Sequence, residues 1–266
     1  MTMRYIRCIE KASLVGAFFL AASAGLAEPA RLCSPPEPAQ PVRVRFVHDG
    51  DTLVLTDGRK IRLIGINAPE TAHDGQPAEA LAIAARNQLR LLLFQHDNRA
   101  RLLPGLEQHD RHGRELAHLW LPDDTNLTAR MLRDGLGWSL TIPPNIRFAD
   151  CYRDAEATAR AASRGVWEQP DYAPRGSAEL DLRTRGFLRV RGQVVRVNHG
   201  GGALWINLQG HFAIRIPEDD LRWFPQPPDR SWIGRLVEVR GWVYATKGEL
   251  RVTAHHPAAL EVLPTP

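Results

Sequence analysis

Residues 47–70 read VHDGDTLVLTDGRKIRLIGINAPE. Two runs rich in Val, Leu and Ile flank Asp57-Gly58, a dipeptide that signals a tight hairpin. A hairpin that only had to line a core has no use for Asp49, Asp51, Arg62 and Glu70, because an unpaired buried charge costs far more than an apolar neighbour returns. With Asp57-Gly58 as a two-residue loop, Thr56 faces Arg59 and Asp51 faces Ile64. Arg62 is then the diagonal neighbour of Asp51 on the same face, within reach of a long side chain. Asn67 and Glu70 follow just past the second strand, where Pro69 turns the chain outward.

Working outward, VRVRFV (42–47), TLVLT (52–56) and KIRLIGI (60–66) read as strands. From Pro77 the stretch PAEALAIAARNQLRLLLF (77–94) turns helical, with the proline placed for a first turn. RARLLP (99–104) and RELAHLWLP (114–122) read as further strands. NLTARMLRDG (126–135) is a short helix capped by Asn126 and ended by Gly135. ADCYRDAEATARAASRG (149–165) is a last helix with Cys151, Ala155, Ala159 and Ala162 on one face. This order predicts an α+β domain over 42–168. Residues 169–185 have the Pro, Gly and charge of a linker, and 186–263 hold five short strand candidates that predict a second, all-β barrel.

At the other end, Arg4, Arg7 and Lys11 precede the apolar run SLVGAFFLAASAGLA (13–27), which is too short to span a bilayer comfortably. We read 1–27 as a signal peptide cleaved after Ala24 or Ala27, giving a secreted or periplasmic protein with no stable membrane anchor. PARLC (29–33) lacks the small-residue approach of a lipoprotein signal. Cleavage reduces 34 basic and 30 acidic side chains to 31 and 29, so the net charge falls from +4 to +2 and overall basicity says little about partners. Its distribution says more: residues 183–256 carry twelve Lys and Arg against six Asp and Glu. Cys8 leaves with the signal, and an oxidising compartment permits Cys33 and Cys151 to pair. Two cysteines without clustered histidines disfavour zinc.

Among the polar residues of the hairpin, a carboxylate, an amide and a backbone carbonyl suit a hard divalent cation such as Ca²⁺. An arginine fork suits a phosphate, and a glutamate beside both suits activation of a water. These are the parts that phosphodiester hydrolysis needs. Arg114, in DRHGREL (110–116), is the natural second phosphate clamp.

DGDT (49–52), RLIGINAPET (62–71), DRHGRELA (110–117) and SRGVW (163–167), in this order and spacing, resemble the staphylococcal nuclease (thermonuclease) family over about 42–167. The resemblance implies an OB-type five-stranded barrel with three helices and an enzyme that cleaves DNA and RNA with Ca²⁺. It makes Asp51 a metal ligand, joined by residue 67 and the backbone carbonyl of Ala68. Glu70 becomes the residue that positions or activates the attacking water, with Arg62 and Arg114 stabilising the pentacoordinate phosphate and Asp49 near the ion. The family usually has aspartate where this chain has Asn67; an amide oxygen coordinates without charge, so metal affinity is expected to fall. The paired tyrosines of well-known members have no counterpart in GLGWSLTIPPN (135–145).

Taken singly, each of these residues has an ordinary structural role: Asp-Gly makes turns, Arg62 is a solvated strand residue, Arg114 an exposed hairpin residue, and Glu70 a surface carboxylate near a helix start. Their joint order favours a nucleotide-handling site. His48, His73, His109, His112 and His118 show no helical metal pairing and read as surface or packing residues, with His112 nearest the substrate, while His255 and His256 lie at a strand end. In the second barrel Arg alternates with Trp205, Trp223, Trp232 and Trp242, which serve either as core or as a stacking surface for single strands. The sequence therefore predicts an exported Ca²⁺-dependent endonuclease acting as a monomer on single-stranded or locally opened DNA, with RNA as a further substrate. The alternatives are a nucleic-acid-binding protein that has lost its chemistry at Asn67, and an envelope protein whose barrels make protein contacts.

Overall fold

A computed structural model describes residues 33–36, 38–72 and 75–264. The signal-like run and His73 lie outside the described residues. Strands β1 (Gln40–Val47), β2 (Thr52–Leu55) and β3 (Lys60–Leu63) form an antiparallel meander. Thr52 is paired with Arg62 and Leu53 with Ile61, one residue off the expected register. The loop holds three residues, Thr56 to Gly58, closed by Leu55 N–H to Arg59 O at 2.9 Å. Asp57 accepts from the Arg59 amide and Nε, and Gly58 takes φ +93°, the left-handed geometry of a three-residue hairpin. KIRLIGI is likewise two strands. Gly65 turns the chain at φ +91°, where a Cβ would lie 2.2 Å from the Tyr152 ring, and sends β4 (Ile66–Asn67) out of the barrel.

Helix α1 (Ala82–Phe94) seats Ala85, Leu89, Leu92 and Leu93 on the barrel. It begins later than expected and leaves Pro77 outside, because the preceding segment folds back and the backbone N–H of Glu79 donates to Glu70 O at 2.9 Å. β5 (Arg99–His109) and β6 (Glu115–Trp120) complete a closed barrel of order β1-β2-β3-β6-β5, in which β3 and β6 run parallel. Asn126 caps α2 (Leu127–Arg133) by accepting from Ala129 N–H at 2.9 Å. The helix ends with Leu136 N–H to Met131 O and Gly135 N–H to Leu132 O, the paired bonds of a glycine C-terminal motif. β7 (Trp138–Ser139) pairs with β4, placing Trp138 opposite Asn67.

Helix α3 (Ala149–Ala161) buries Ala149, Tyr152, Ala155, Glu156 and Ala159. Ala162 is exposed instead of sharing that face, because it is the C-cap and has left the helical path. A disulfide joins Cys33 to Cys151 with 5.9 Å between the Cα atoms. Residues 169–185 carry short 3-10 turns and β8 (Arg175–Gly176). Tyr172 Oη donates to Ala80 O in the first barrel, and Ser177 Oγ donates to Gln209 O in the second.

The second barrel is built from β9 (Gly186–Gly200), β10 (Ala203–Leu208), β11 (Phe212–Pro217), β12 (Leu236–Thr246) and β13 (Glu249–Thr253), with β14 (Leu260–Val262) on its edge. It closes as β9-β10-β11-β13-β12 with β11 and β13 parallel, so both barrels have the same OB-type strand order. Leu204, Ile206, Ile214, Val237 and Val252 fill its interior. The four tryptophans divide between the expected alternatives: Trp223 and Trp232 pack against this core from its margin, whereas Trp205 and Trp242 face outward. All described residues fall in one compact unit. Glu156 of α3 ties its parts together, accepting from Ser139 N–H at 2.6 Å and from Arg240 of β12 at 2.7 Å.

Candidate active site

The Asp49-Gly50-Asp51 bend between β1 and β2 is shaped by its own carboxylate and by the lack of a side chain at its middle. Asp49 Oδ1 accepts from the amides of Asp51 (2.9 Å) and Thr52 (2.7 Å), and its other oxygen lies 3.2 Å from His48 Nδ1. A Cβ on Gly50 would stand 2.6 Å from the Ala68 Cβ and 2.8 Å from that of Ala85, so glycine lets the bend close onto the start of the site loop and α1. Ala68 N–H then donates to Asp51 Oδ2 at 2.7 Å. Residues 17 positions apart are thereby brought together.

Arg62 reaches the same carboxylate, with Nη2 3.0 Å from Asp51 Oδ2 and 3.5 Å from Asn67 Oδ1. Its Nη1 donates to the carbonyls of Leu63 (3.0 Å) and Ile66 (2.8 Å), which fix the fork in a buried position. The pairing expected between Asp51 and Arg62 is thus made, although the register that suggested it is shifted. Thr52 extends the network: its hydroxyl donates to Asp51 Oδ1 at 3.1 Å and accepts from Arg114 Nη1 at 3.1 Å. Arg114 is aimed by Asp110, which accepts from its Nε at 2.7 Å and from its amide at 2.9 Å. Burial pulls the Asp110 carboxyl upward, but these bonds and the His112 amide outweigh it and hold it below the usual range. His112 itself is exposed, with its ring against Arg111.

The electrostatics leave Asp51 short of positive charge. Burial pushes its carboxyl up to about 7; Arg62 and the Ala68 amide oppose this, while Asp49 and Glu70 raise it further. Glu70 is exposed, and its backbone is held by Glu79, which accepts from its amide at 2.9 Å. Oxygen donors from Asp51 and Asn67 converge on one Arg62 nitrogen beside two further carboxylates. That set, without sulfur or imidazole, fits a hard divalent cation. No group of three or more His, Cys, Asp or Glu that could hold a metal occurs among the described residues, so an ion here would draw on amide and backbone oxygens as well.

The profile of the staphylococcal nuclease homologue family matches residues 60–169. The thermonuclease of Staphylococcus intermedius is 32% identical over 129 residues, covering 47% of this chain and 75% of its own length. The chain belongs to the staphylococcal nuclease family. An uncharacterized endonuclease of Escherichia coli O157:H7 is 30% identical over 138 residues, covering 50% of this chain and 80% of the relative. The thermonuclease of Staphylococcus hyicus is 27% identical over 131 residues, covering 48% and 76%. The profile match takes in Arg62, Asn67, Ala68, Glu70 and Arg114 and begins after Asp51. Four residues that contact the candidate site escaped the sequence reading: Thr52, Asp110, Glu79 and Trp138. The threonine of DGDT and the aspartate opening DRHGR were the available signals; Glu79 and Trp138 had none, since their partners are set by chain folding alone.

Proposed function

We propose that the chain is an exported endonuclease that hydrolyses phosphodiester bonds in single-stranded or locally opened DNA, and in RNA. The observation that carries this reading is the buried Asp51 carboxylate held between Arg62 and Thr52, with Thr52 linking it to Arg114. Arg62 Nε has no hydrogen-bond partner among the described residues, and its Nη2, paired with Asp51 at 3.0 Å, is engaged only loosely by Asn67 at 3.5 Å. These donors and the partly exposed Arg114 are available to the non-bridging oxygens of a phosphate. Glu70, exposed at the edge of the site, positions a water and takes up its proton. Asp51, Asn67 and the carbonyl of Ala68 are the residues that would hold Ca²⁺. The ion would supply charge neutralisation at the phosphate. Asn67 contributes an uncharged oxygen, so the site binds the ion more weakly than one with aspartate there.

Export is supported by the Cys33–Cys151 disulfide, which forms and persists in oxidising compartments. No helix among the described residues is long and apolar enough to cross a membrane.

The test is cleavage of denatured DNA across a calcium titration. Turnover should require calcium and fall by about 10²-fold or more in Glu70→Gln. In Asn67→Asp the calcium midpoint should move to lower concentration. Salt-sensitive binding without turnover, with cleavage appearing only in Asn67→Asp, would instead make the chain a nucleic-acid-binding protein.

A further inference from the structure

Trp138, paired with Asn67 in the site, begins a row of side chains that leaves the first barrel. Its ring is buried and lies 5.3 Å from that of Phe187 on β9. Phe187 is the register partner of Trp242 on β12, and the two rings meet edge to face at 5.1 Å. Trp242 and Tyr244 alternate with the buried Gly241 and Val243, so both turn away from the core, 47% and 38% exposed. Tyr244 is paired in turn with Arg251 on β13. The Arg251 guanidinium, steadied by Glu249, sits 4.5 Å over the ring of Trp205 on β10. Trp205 pairs with Arg215 on β11, whose guanidinium has no carboxylate partner among the described residues.

Six neighbouring side chains thus place aromatic rings and arginines in one outer row on the second barrel, with Trp242 and Tyr244 exposed and the other four half-buried. Apolar rings gathered on a surface mark a binding face, and neither core packing nor solubility calls for Trp242 outside. Rings interleaved with guanidinium groups are suited to unpaired bases and the phosphates between them. The surplus of basic over acidic residues in 183–256, twelve against six, has the matching sign. A duplex, whose bases are stacked on one another, offers no faces to these rings.

We propose that Phe187, Trp242, Tyr244, Arg251, Trp205 and Arg215 form a single-stranded nucleic-acid track that continues from the active site across the second barrel. The inference rests on the nuclease reading for its starting point, and it gives the second barrel the task of selecting unpaired strands.

The experiment measures fluorescence anisotropy of labelled oligothymidylates of about 4 and about 20 nucleotides with the full chain, in chelator so that no strand is cut. The long strand should bind the wild type much more tightly than the short one. Trp242→Ala should weaken long-strand binding by about tenfold, Trp242→Phe should retain it, and Arg251→Gln should flatten its salt dependence. Circular dichroism identifies any variant that has failed to fold, and Trp242→Phe keeps the comparison valid in that case. Equal long-strand affinity in wild type and folded Trp242→Ala, or equal affinity of the wild type for duplex, would overturn the track. Cleavage of the long strand after calcium is restored is scored separately. Cutting without a length-dependent gain leaves the nuclease and removes the track, whereas the gain without cutting leaves the track and removes the nuclease.

Discussion

Each barrel buries a carboxylate against arginine, and the two pairs have opposite electrostatic outcomes. In the first, Asp51 has one arginine at 3.0 Å and two other carboxylates acting on it, and its carboxyl is pushed up to about 7 by burial. In the second, burial also pushes Glu238 upward, but Arg189 at 2.7 Å and Arg191 at 2.6 Å overcome it and hold the group below its ordinary value. A carboxylate with more positive charge than it needs is a brace. One with less leaves room for a further cation beside it, in line with the metal role proposed for Asp51. Since the strand order is shared, the difference lies in a few side chains rather than in topology.

The largest contrast should come from the disulfide, which closes 118 residues of the first barrel and has no counterpart in the second. Reduction, or Cys151→Ser, is expected to cost about 4 kcal/mol in chemical denaturation. An unchanged midpoint under reductant would erase this asymmetry between the barrels. Next in size, the same exchange made in both buried pairs should separate function from stability. Arg62→Gln should lower DNA cleavage by about 10²-fold or more, whereas Arg189→Gln should leave turnover at the wild-type rate and cost about 2 kcal/mol of stability, with Arg191 still pairing Glu238. Loss of turnover in Arg189→Gln would show that the brace also serves the site.

The smallest effect concerns acid. His118 is buried against Tyr152 Oη at 2.7 Å, and burial, with Arg147 adding, lowers its pKa to about 3. The unfolded chain protonates this imidazole near its ordinary value of 6.5 while the folded chain does not. Stability is therefore fully present above about 6.5 and is lost as the pH falls toward 3. Denaturation should become easier by about 2 kcal/mol between pH 7 and 5, and His118→Gln should flatten that slope. An identical slope in the variant would assign the acid sensitivity to the carboxylates.

Much of this was legible in the sequence where the cause was local. The strands around Asp57-Gly58, the cap at Asn126 and the end at Gly135 follow from side chains acting on their own backbone. The register did not, because Asp57 bonds to Arg59 and adds a loop residue that periodicity cannot reveal. The pairing of Asp51 with Arg62 survived that slip since a long arginine spans the error. Contacts between distant segments stayed hidden. Arg114 meets Thr52 across 62 residues only because β3 and β6 run parallel, and Glu156 meets Arg240 across 84. Alternation marked the tryptophans of the second barrel as one-sided without saying which side faced water.

The bond between Glu156 and Arg240 bears on how such proteins are assembled from parts. Glu156 lies within the stretch that matches the family, and it holds the backbone of β7, whose partner strand carries Asn67. A fragment cut out at the family boundary would keep this buried carboxylate and lose its counter-charge, along with the ring of Phe187 that lies against Trp138. The nuclease barrel is therefore not an interchangeable module in this chain. The portable unit, for recombination or for engineering, is the two barrels together.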